Sequence, residues 1–245
     1  MRALTDIKAG EQIYNDYGPL PRADLMRRYG YVTPNYAQYD VVEISTKFIC
    51  KIMGERAALD RLFHASTKDL DERSIKAKLE HLETRHDYDD AFDLSWPLEG
   101  ENLFPEQLLG LIAVLDLPTE RLRAATDQSP KHFLQSRPRS EILTHYLDVL
   151  EARVTQYPAS IDETRGTLED LDRWNEHDVL STYHVLKRDA FRVVLGEQEL
   201  LYQACEKVRL ELSSLEPVPI KTGNKSQKRP ASEQDGQSLK QRKRK

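Results

Sequence analysis

Tyrosines are concentrated at the start of this chain, where six of them form a cluster: Tyr14, Tyr17, Tyr29, Tyr31, Tyr36 and Tyr39. Tyr17 follows Asn15-Asp16 and precedes Gly18-Pro19, a setting at the mouth of a strand from which side chains often reach a site. Aromatic rings at this density could line a channel for a cation. They could equally form a core whose hydroxyl groups need partners. Position alone favours the second interpretation.

The elements that would hold the tyrosine cluster are indicated by turn and helix signals. We expect strands over residues 2–7 and 12–14, joined by a turn in which Gly10 supplies a positive φ. Two prolines end the second strand, and residues 22–29 then predict a short helix because their apolar side chains share a face. Gly30 follows at the position where glycine commonly ends a helix.

A longer pattern joins the two parts of this segment. Residues 10–18 (Gly-Glu-Gln-Ile-Tyr-Asn-Asp-Tyr-Gly) are followed by Leu25 and by residues 29–32 (Tyr-Gly-Tyr-Val). Together they resemble the segment that closes the SET domain of protein-lysine methyltransferases. The helix and second aromatic run make it similar to the Rubisco large-subunit methyltransferase-like branch, which includes fungal ribosomal lysine methyltransferases.

The resemblance implies a role for each tyrosine that it covers. Tyr17 matches the catalytic tyrosine of the family. Tyr29 and Tyr31 match the aromatic pair that lines the lysine channel and helps to close the cofactor pocket, and Tyr14 is a further candidate for binding substrate or cofactor. Tyr31 stands where phenylalanine is more common in the family.

The chemistry that these residues would serve is methyl transfer from the sulfonium of S-adenosylmethionine to a lysine amine. The attacking nitrogen must be neutral, although free lysine has a pKa of about 10.4. A narrow and partly dry aromatic channel would favour the neutral amine and align it with the methyl group. The Tyr17 hydroxyl would orient the amine without ionising, and no metal ion is required.

Two further elements of the family are not found among the 245 residues. The sequence contains no Gly-x-Gly cofactor loop and no Asn-His pair before the turn at Gly10. We therefore expect the chain to be the C-terminal part of a SET-domain protein, from a truncated product or an incomplete gene model. We also expect that it does not bind S-adenosylmethionine alone.

The remainder of the chain is predicted to be mainly helical. Residues 36–49 favour a strand or extended segment, and helical periodicity begins near residue 55. The resemblance implies an insertion or an additional exposed helix in the charged stretch 68–90, and residues 129–138 suggest a connector. A long helix is expected over about 179–215.

Part of this body also resembles the Rubisco methyltransferase substrate-binding domain. The similar residues are Tyr157-Pro158 and Ser160-Ile161-Asp162, followed by Ala190-Phe191-Arg192 and residues 197–201. Ser160 stands where the family usually has threonine. Independently of the resemblance, Ser160 and Glu163 have the spacing of a helix capping box.

Composition and charge limit the kinds of partner. The net charge is −5, and residues 221–245 contribute +7, so the other 220 residues carry −12. An acidic body suits a basic protein partner and argues against direct nucleic-acid binding by the body. The two cysteines are isolated, which indicates neither a zinc site nor a disulfide framework. No apolar run approaches the ~18 residues of a membrane span.

Basic residues recur in two groups near the end of the chain. Their spacing matches a bipartite nuclear-import signal and predicts an import receptor as a partner. A general basic tail that binds RNA is the alternative. The residues of the predicted signal are Lys228, Arg229, Lys240, Arg242, Lys243, Arg244 and Lys245.

These observations predict a mainly α protein with a small β-rich SET remnant over residues 1–35. A helical substrate-binding domain would cover 36–217, and a disordered basic tail 218–245. The expected function is S-adenosylmethionine-dependent lysine methylation of a protein, with a ribosomal protein as substrate. The expected location is the nucleus, with the cytoplasm as a second location. The alternative is a non-catalytic helical module that binds a basic protein partner in the nucleus.

Overall fold

A computed structural model describes residues 3, 5–64, 70–83, 89–124, 129–175 and 181–215. The chain divides into a compact unit, Met1–Leu215, and a second unit, Glu216–Lys245. The predicted basic tail, with its import signal at 228–245, lies outside the described residues. The boundary predicted at residue 35 stays a prediction.

The described residues are mainly helical and include one small sheet, which confirms the predicted fold class. Short 3₁₀ helices occupy Pro34–Tyr39 and Gly100–Asn102. None of the described helices combines the length and apolar character needed to cross a bilayer. In chain order the elements are α1 (Arg22–Tyr29), β1 (Val41–Ser45), α2 (Thr46–His64), α3 (Glu72–Glu83), β2 (Ala91–Ser95), α4 (Glu106–Leu115), α5 (Thr119–Ala124), α6 (Pro130–Gln135), α7 (Arg139–Val154), α8 (Ile161–Asn175) and α9 (Thr182–Leu215).

The core is built around α4, whose residues from Leu108 to Leu115 are all buried. A helix that is apolar on all sides must be covered on all sides, and α4 contacts α2, α3, α6 and α7. Tyr146 of α7 is fully buried and donates its hydroxyl to the Leu103 carbonyl at 2.7 Å. That hydrogen bond satisfies a polar group that would otherwise be costly to bury.

The sheet pairs β1 with β2 in antiparallel register, with Val42 opposite Leu94 and Ile44 opposite Phe92. Burial alternates along both strands, so these four side chains face the core and the intervening residues face solvent. The sequence predicted an extended segment over 36–49, but the strand is shorter because α2 begins at Thr46.

The two strands predicted over 2–7 and 12–14 are not formed in the described part of the chain. A strand requires hydrogen bonds from a neighbouring strand, and no described residue provides them to this segment. The predicted turn between them is confirmed: Glu11 N–H donates to the Lys8 carbonyl at 3.1 Å, and Gly10 has φ 91°.

The predicted connector at 129–138 contains the short helix α6. Pro130 can begin a helix without losing a hydrogen bond, because the first N–H groups of a helix have no partner within it.

Helix α3 confirms the additional helix in the charged stretch, but the helix is not fully exposed. Lys78 is 1% exposed, and its ammonium donates to the carbonyls of Leu115 and Leu117 at 2.7 and 2.6 Å. The carbonyls at a helix C-terminus have no partners within the helix and attract positive charge. Lys78 therefore caps the end of α4 and anchors α3 to the core.

We expect Lys78→Met to lower the free energy of unfolding by about 2 kcal/mol, because two buried carbonyls lose their donor while the apolar volume is kept. Urea denaturation followed by circular dichroism measures the loss. Lys76→Met on the same helix is the matched control, since the Lys76 side chain is 78% exposed; it should change stability by less than about 0.5 kcal/mol. Equal effects of the two substitutions would contradict the capping role.

Candidate functional site

Tyr17 and Tyr29 form the centre of the tyrosine cluster in the folded chain. Their rings stack with centroids 4.0 Å apart and an interplanar angle of 21°. Tyr29 is the last residue of α1, so the helix brings its ring back to the segment that carries Tyr17. The two side chains remain 37% and 43% exposed. The pair therefore offers an open aromatic surface with two hydroxyl groups.

The stacked rings do not form a channel between them. Two rings in contact leave no room for an aliphatic chain, which needs about 3.5–4 Å to each face. A lysine side chain would have to lie along the outer face of the pair. The lysine channel stays a prediction, and the stacked pair offers one aromatic face and no space between its rings.

Tyr31 and Tyr14 are the other two tyrosines that the sequence singled out. Tyr31 follows Gly30, whose left-handed conformation (φ 73°) ends α1 and turns the chain. Tyr14 is 79% exposed and donates its hydroxyl to Gln12 Oε1 at 3.2 Å. Among the aromatic contacts of the described residues, neither ring stacks on Tyr17 or Tyr29.

Asp16 organises the backbone around Tyr17. Its Oδ1 accepts hydrogen bonds from the Gly18 N–H at 2.9 Å and from the Tyr36 hydroxyl at 3.2 Å. The first bond closes a turn in which an Asp side chain accepts from the backbone N–H two residues further along the chain. The partial burial of Tyr36 and its hydrogen bond to the Asp16 carboxylate raise the pKa of its phenol. The sequence did not indicate the contact between Tyr36 and Asp16.

The start of α1 is held by an ion pair between Arg22 and Asp40. Arg22 Nε donates to both carboxylate oxygens of Asp40 at 3.1 and 2.9 Å, its Nη2 donates to Oδ2, and its backbone N–H donates to Oδ1 at 3.2 Å. The side chains are 12% and 5% exposed. A buried carboxylate with several charge-assisted hydrogen bonds fixes the geometry of both segments.

Helix α9 receives this ion pair at Gly196. A Cβ atom built at Gly196 would overlap Arg22 Nη2 and Asp40 Oδ2. The absence of a side chain at this position therefore lets the Arg22–Asp40 pair lie against the helix. Helix α1 contacts α9, so the position of Tyr29 depends on this glycine.

The segment that resembles the substrate-binding domain is also attached to α9. Tyr157 donates its hydroxyl to Glu197 Oε2 at 2.6 Å, and Gln198 Nε2 donates to the Ala159 carbonyl at 2.7 Å. Burial and the Glu197 carboxylate raise the pKa of the Tyr157 phenol. The capping box is confirmed, since Glu163 N–H donates to Ser160 Oγ at 3.3 Å and Ser160 N–H to Glu163 Oε2 at 2.8 Å.

The residues around the tyrosine pair do not fit S-adenosylmethionine by themselves. The pair is an open surface, and the nearby Asp16 carboxylate already accepts hydrogen bonds from Gly18 and Tyr36.

Burial raises the pKa of both cysteine thiols, Cys50 and Cys205, to about 11, so neither is a ready nucleophile. Within the described ranges, no three potential metal-ligating side chains are grouped.

Comparison with known proteins adds evidence of a different kind. No protein-family profile matches the chain. Ribosomal lysine N-methyltransferase 4 of Saccharomyces cerevisiae (strain ATCC 204508 / S288c) is 41% identical over 71 residues. Part of this chain is related to a lysine methyltransferase. The match covers 29% of this chain and 13% of the yeast methyltransferase.

We expect Gly196→Ala to lower the free energy of unfolding by about 1–3 kcal/mol. The new methyl group would displace a buried ion pair, and this outweighs the gain of about 1 kcal/mol in helix propensity. Thermal and urea denaturation would measure the change.

Gly166→Ala in α8 is the matched control, because a Cβ atom there has no neighbour within 4 Å. It should raise stability by about 0.5–1 kcal/mol. Stabilisation by both substitutions would show that α9 does not need glycine at residue 196.

Proposed function

We propose that this chain is part of an S-adenosylmethionine-dependent protein-lysine N-methyltransferase of the SET type, in the Rubisco large-subunit methyltransferase-like branch. The observation that carries the proposal is the contact between Tyr17 and Tyr29, which match the catalytic and channel tyrosines of that family and stack 4.0 Å apart. The relationship to the yeast lysine methyltransferase supports it. S-adenosylmethionine would supply the methyl group.

The tyrosine pair would act on the lysine side of such a site. A lysine ammonium is attracted to aromatic faces, and its methylene chain packs against them. The Tyr17 hydroxyl oxygen can accept a hydrogen bond from the amine and thereby set the direction of the nitrogen. A ring surface that excludes water on one side weakens the hydration of the ammonium. This loss of hydration favours release of the proton and gives the neutral amine that methyl transfer requires. Tyr31 would extend this surface beyond Gly30.

The charge of the body supports a basic substrate. The residues before position 221 carry −12, which attracts a cationic protein and increases the rate of encounter. Ribosomal proteins are basic, and the yeast relative is named for a ribosomal lysine. We therefore propose a lysine-bearing segment of a ribosomal protein as the substrate.

The basic tail supports a nuclear location for this activity. We propose that residues 228–245 bind an import receptor through their two groups of lysine and arginine. Nuclear import would bring the enzyme to ribosomal proteins before assembly is complete. The alternative is that the same tail binds RNA, and an experiment must distinguish this from binding to an import receptor.

We expect a fluorescent reporter fused to residues 221–245 to accumulate in the nucleus. A scrambled tail with the same composition is the matched control, because it keeps the charge of +7 and removes the spacing of the two groups. Microscopy measures the ratio of nuclear to cytoplasmic signal. Equal nuclear signal from both tails would point to retention by charge, and a cytoplasmic reporter would reject import.

We expect Tyr17→Phe in the expressed gene product to lower lysine methylation of its ribosomal substrate by about a hundredfold. The hydroxyl that orients the amine is lost while the ring stack is kept. Mass spectrometry of ribosomal proteins from cells with each allele measures the methylated fraction. Tyr183→Phe is the matched control, since Tyr183 is 68% exposed on α9. Unchanged methylation with Tyr17→Phe would exclude the proposed role of this residue.

A further inference from the structure

A second surface feature lies at the other end of α1 from the tyrosine pair. This cleft has a volume of about 630 Å³, which is within the range of ligand sites in proteins. Its walls include Tyr39, Trp96 and Pro97, and its lining also includes Glu199 and the Arg22–Asp40 pair. None of the functional roles assigned above uses the cleft.

The cleft has one carboxylate whose charge is incompletely neutralised. Arg165 lies 3.1 Å from Asp162 and 3.5 Å from Glu199, so one guanidinium is shared between two carboxylates. The Glu199 side chain is 44% exposed and can therefore receive a further cation. By contrast, Arg22 and Asp40 neutralise each other and contribute no net charge.

The aromatic side chains of the cleft complement this carboxylate. Tyr39 is 36% exposed and Trp96 is partly buried, so both rings present apolar surface beside Glu199. Aromatic faces next to a carboxylate bind a side chain that has an apolar stem and a cationic end. Arginine and lysine have this chemistry, and arginine also stacks its planar group on rings.

The distance to the tyrosine pair suits one peptide that reaches both places. Arg22 and Tyr29 are the first and last residues of α1, and a helix of this length separates them by about 10 Å. An extended peptide covers that distance in roughly three residues, and in up to about five if it follows the surface.

We propose that the cleft binds an arginine or lysine side chain of the protein substrate, located roughly three to five residues from the lysine at the tyrosine pair. The proposal rests on the proposed function, because it assumes that the target lysine lies against Tyr17 and Tyr29. The cleft would then select substrates by the sequence around the target lysine. A basic residue at this spacing would distinguish the preferred lysine from other lysines on the same protein.

The test uses the 245-residue chain and fluorescein-labelled peptides of glycine and serine that contain one lysine and one arginine four residues away. In the comparison peptide, citrulline replaces arginine, which removes the charge and keeps the shape. Fluorescence anisotropy gives the dissociation constants. We expect the arginine peptide to bind about fivefold more tightly than the citrulline peptide.

Glu199→Gln should abolish that preference, and Trp96→Leu should reduce it. Glu120→Gln is the control, because it removes an exposed carboxylate of α5 outside the cleft and changes the total charge equally. Thermal melting of each variant confirms that it is folded. An unchanged preference in Glu199→Gln, or an equal loss in Glu120→Gln, would overturn the proposal.

Replacement of the peptide lysine by norleucine separates the two proposals. If the arginine preference persists and depends on Glu199 while the lysine makes no difference, the cleft binds a cation but the tyrosine pair does not bind lysine. If the lysine matters and the arginine does not, the tyrosine pair is supported and the cleft proposal fails.

Discussion

The arrangement of this protein around its tyrosines depends on the ion pair between Arg22 and Asp40. A buried carboxylate is costly unless hydrogen bonds replace its water, and here one arginine supplies them from its side chain and its backbone N–H. The pair joins the first turn of α1 to the end of the 3₁₀ helix that follows it. Because it also lies against Gly196, it fixes both segments on α9.

Two cations with little exposure to solvent, Arg22 and Lys78, are satisfied in different ways in the same fold. Arg22 is neutralised by a carboxylate, whereas Lys78 donates to backbone carbonyls at the end of α4. The first arrangement specifies the docking of a surface segment, and the second holds a peripheral helix on the core. In both interactions the charged side chain contacts residues far away in sequence. Both therefore stabilise the packing of elements on one another more than they stabilise a single helix.

Local signals in the sequence predicted the features that depend on neighbouring residues. The helix at 22–29, the glycine that ends it, and the capping box of Ser160 and Glu163 follow from backbone and side-chain rules that act within a few residues. The fold class followed from periodicity in the same way. The strands expected before Tyr17 required partners, and no local pattern could tell whether the described chain provides them.

The features that the sequence did not indicate are contacts between distant residues. Asp40 lies 18 positions from Arg22, and Gly196 resembles any glycine that weakens a helix. Strand β2 follows a charged stretch and is too short for its alternation to be recognised alone. A family resemblance pointed to Tyr17 and Tyr29 as site residues, but the stacking of their rings comes from the fold and was not predicted from the sequence.

Helix α9 is continuous over 34 residues, and this continuity restricts how the chain can change in length. Each residue added to an α-helix turns everything after it by about 100°. An insertion before Gly196 would point the glycine away from Arg22, and it would also rotate the apolar face that begins at Leu200. We therefore expect this helix to tolerate substitutions much better than insertions or deletions, which the loops between elements can absorb.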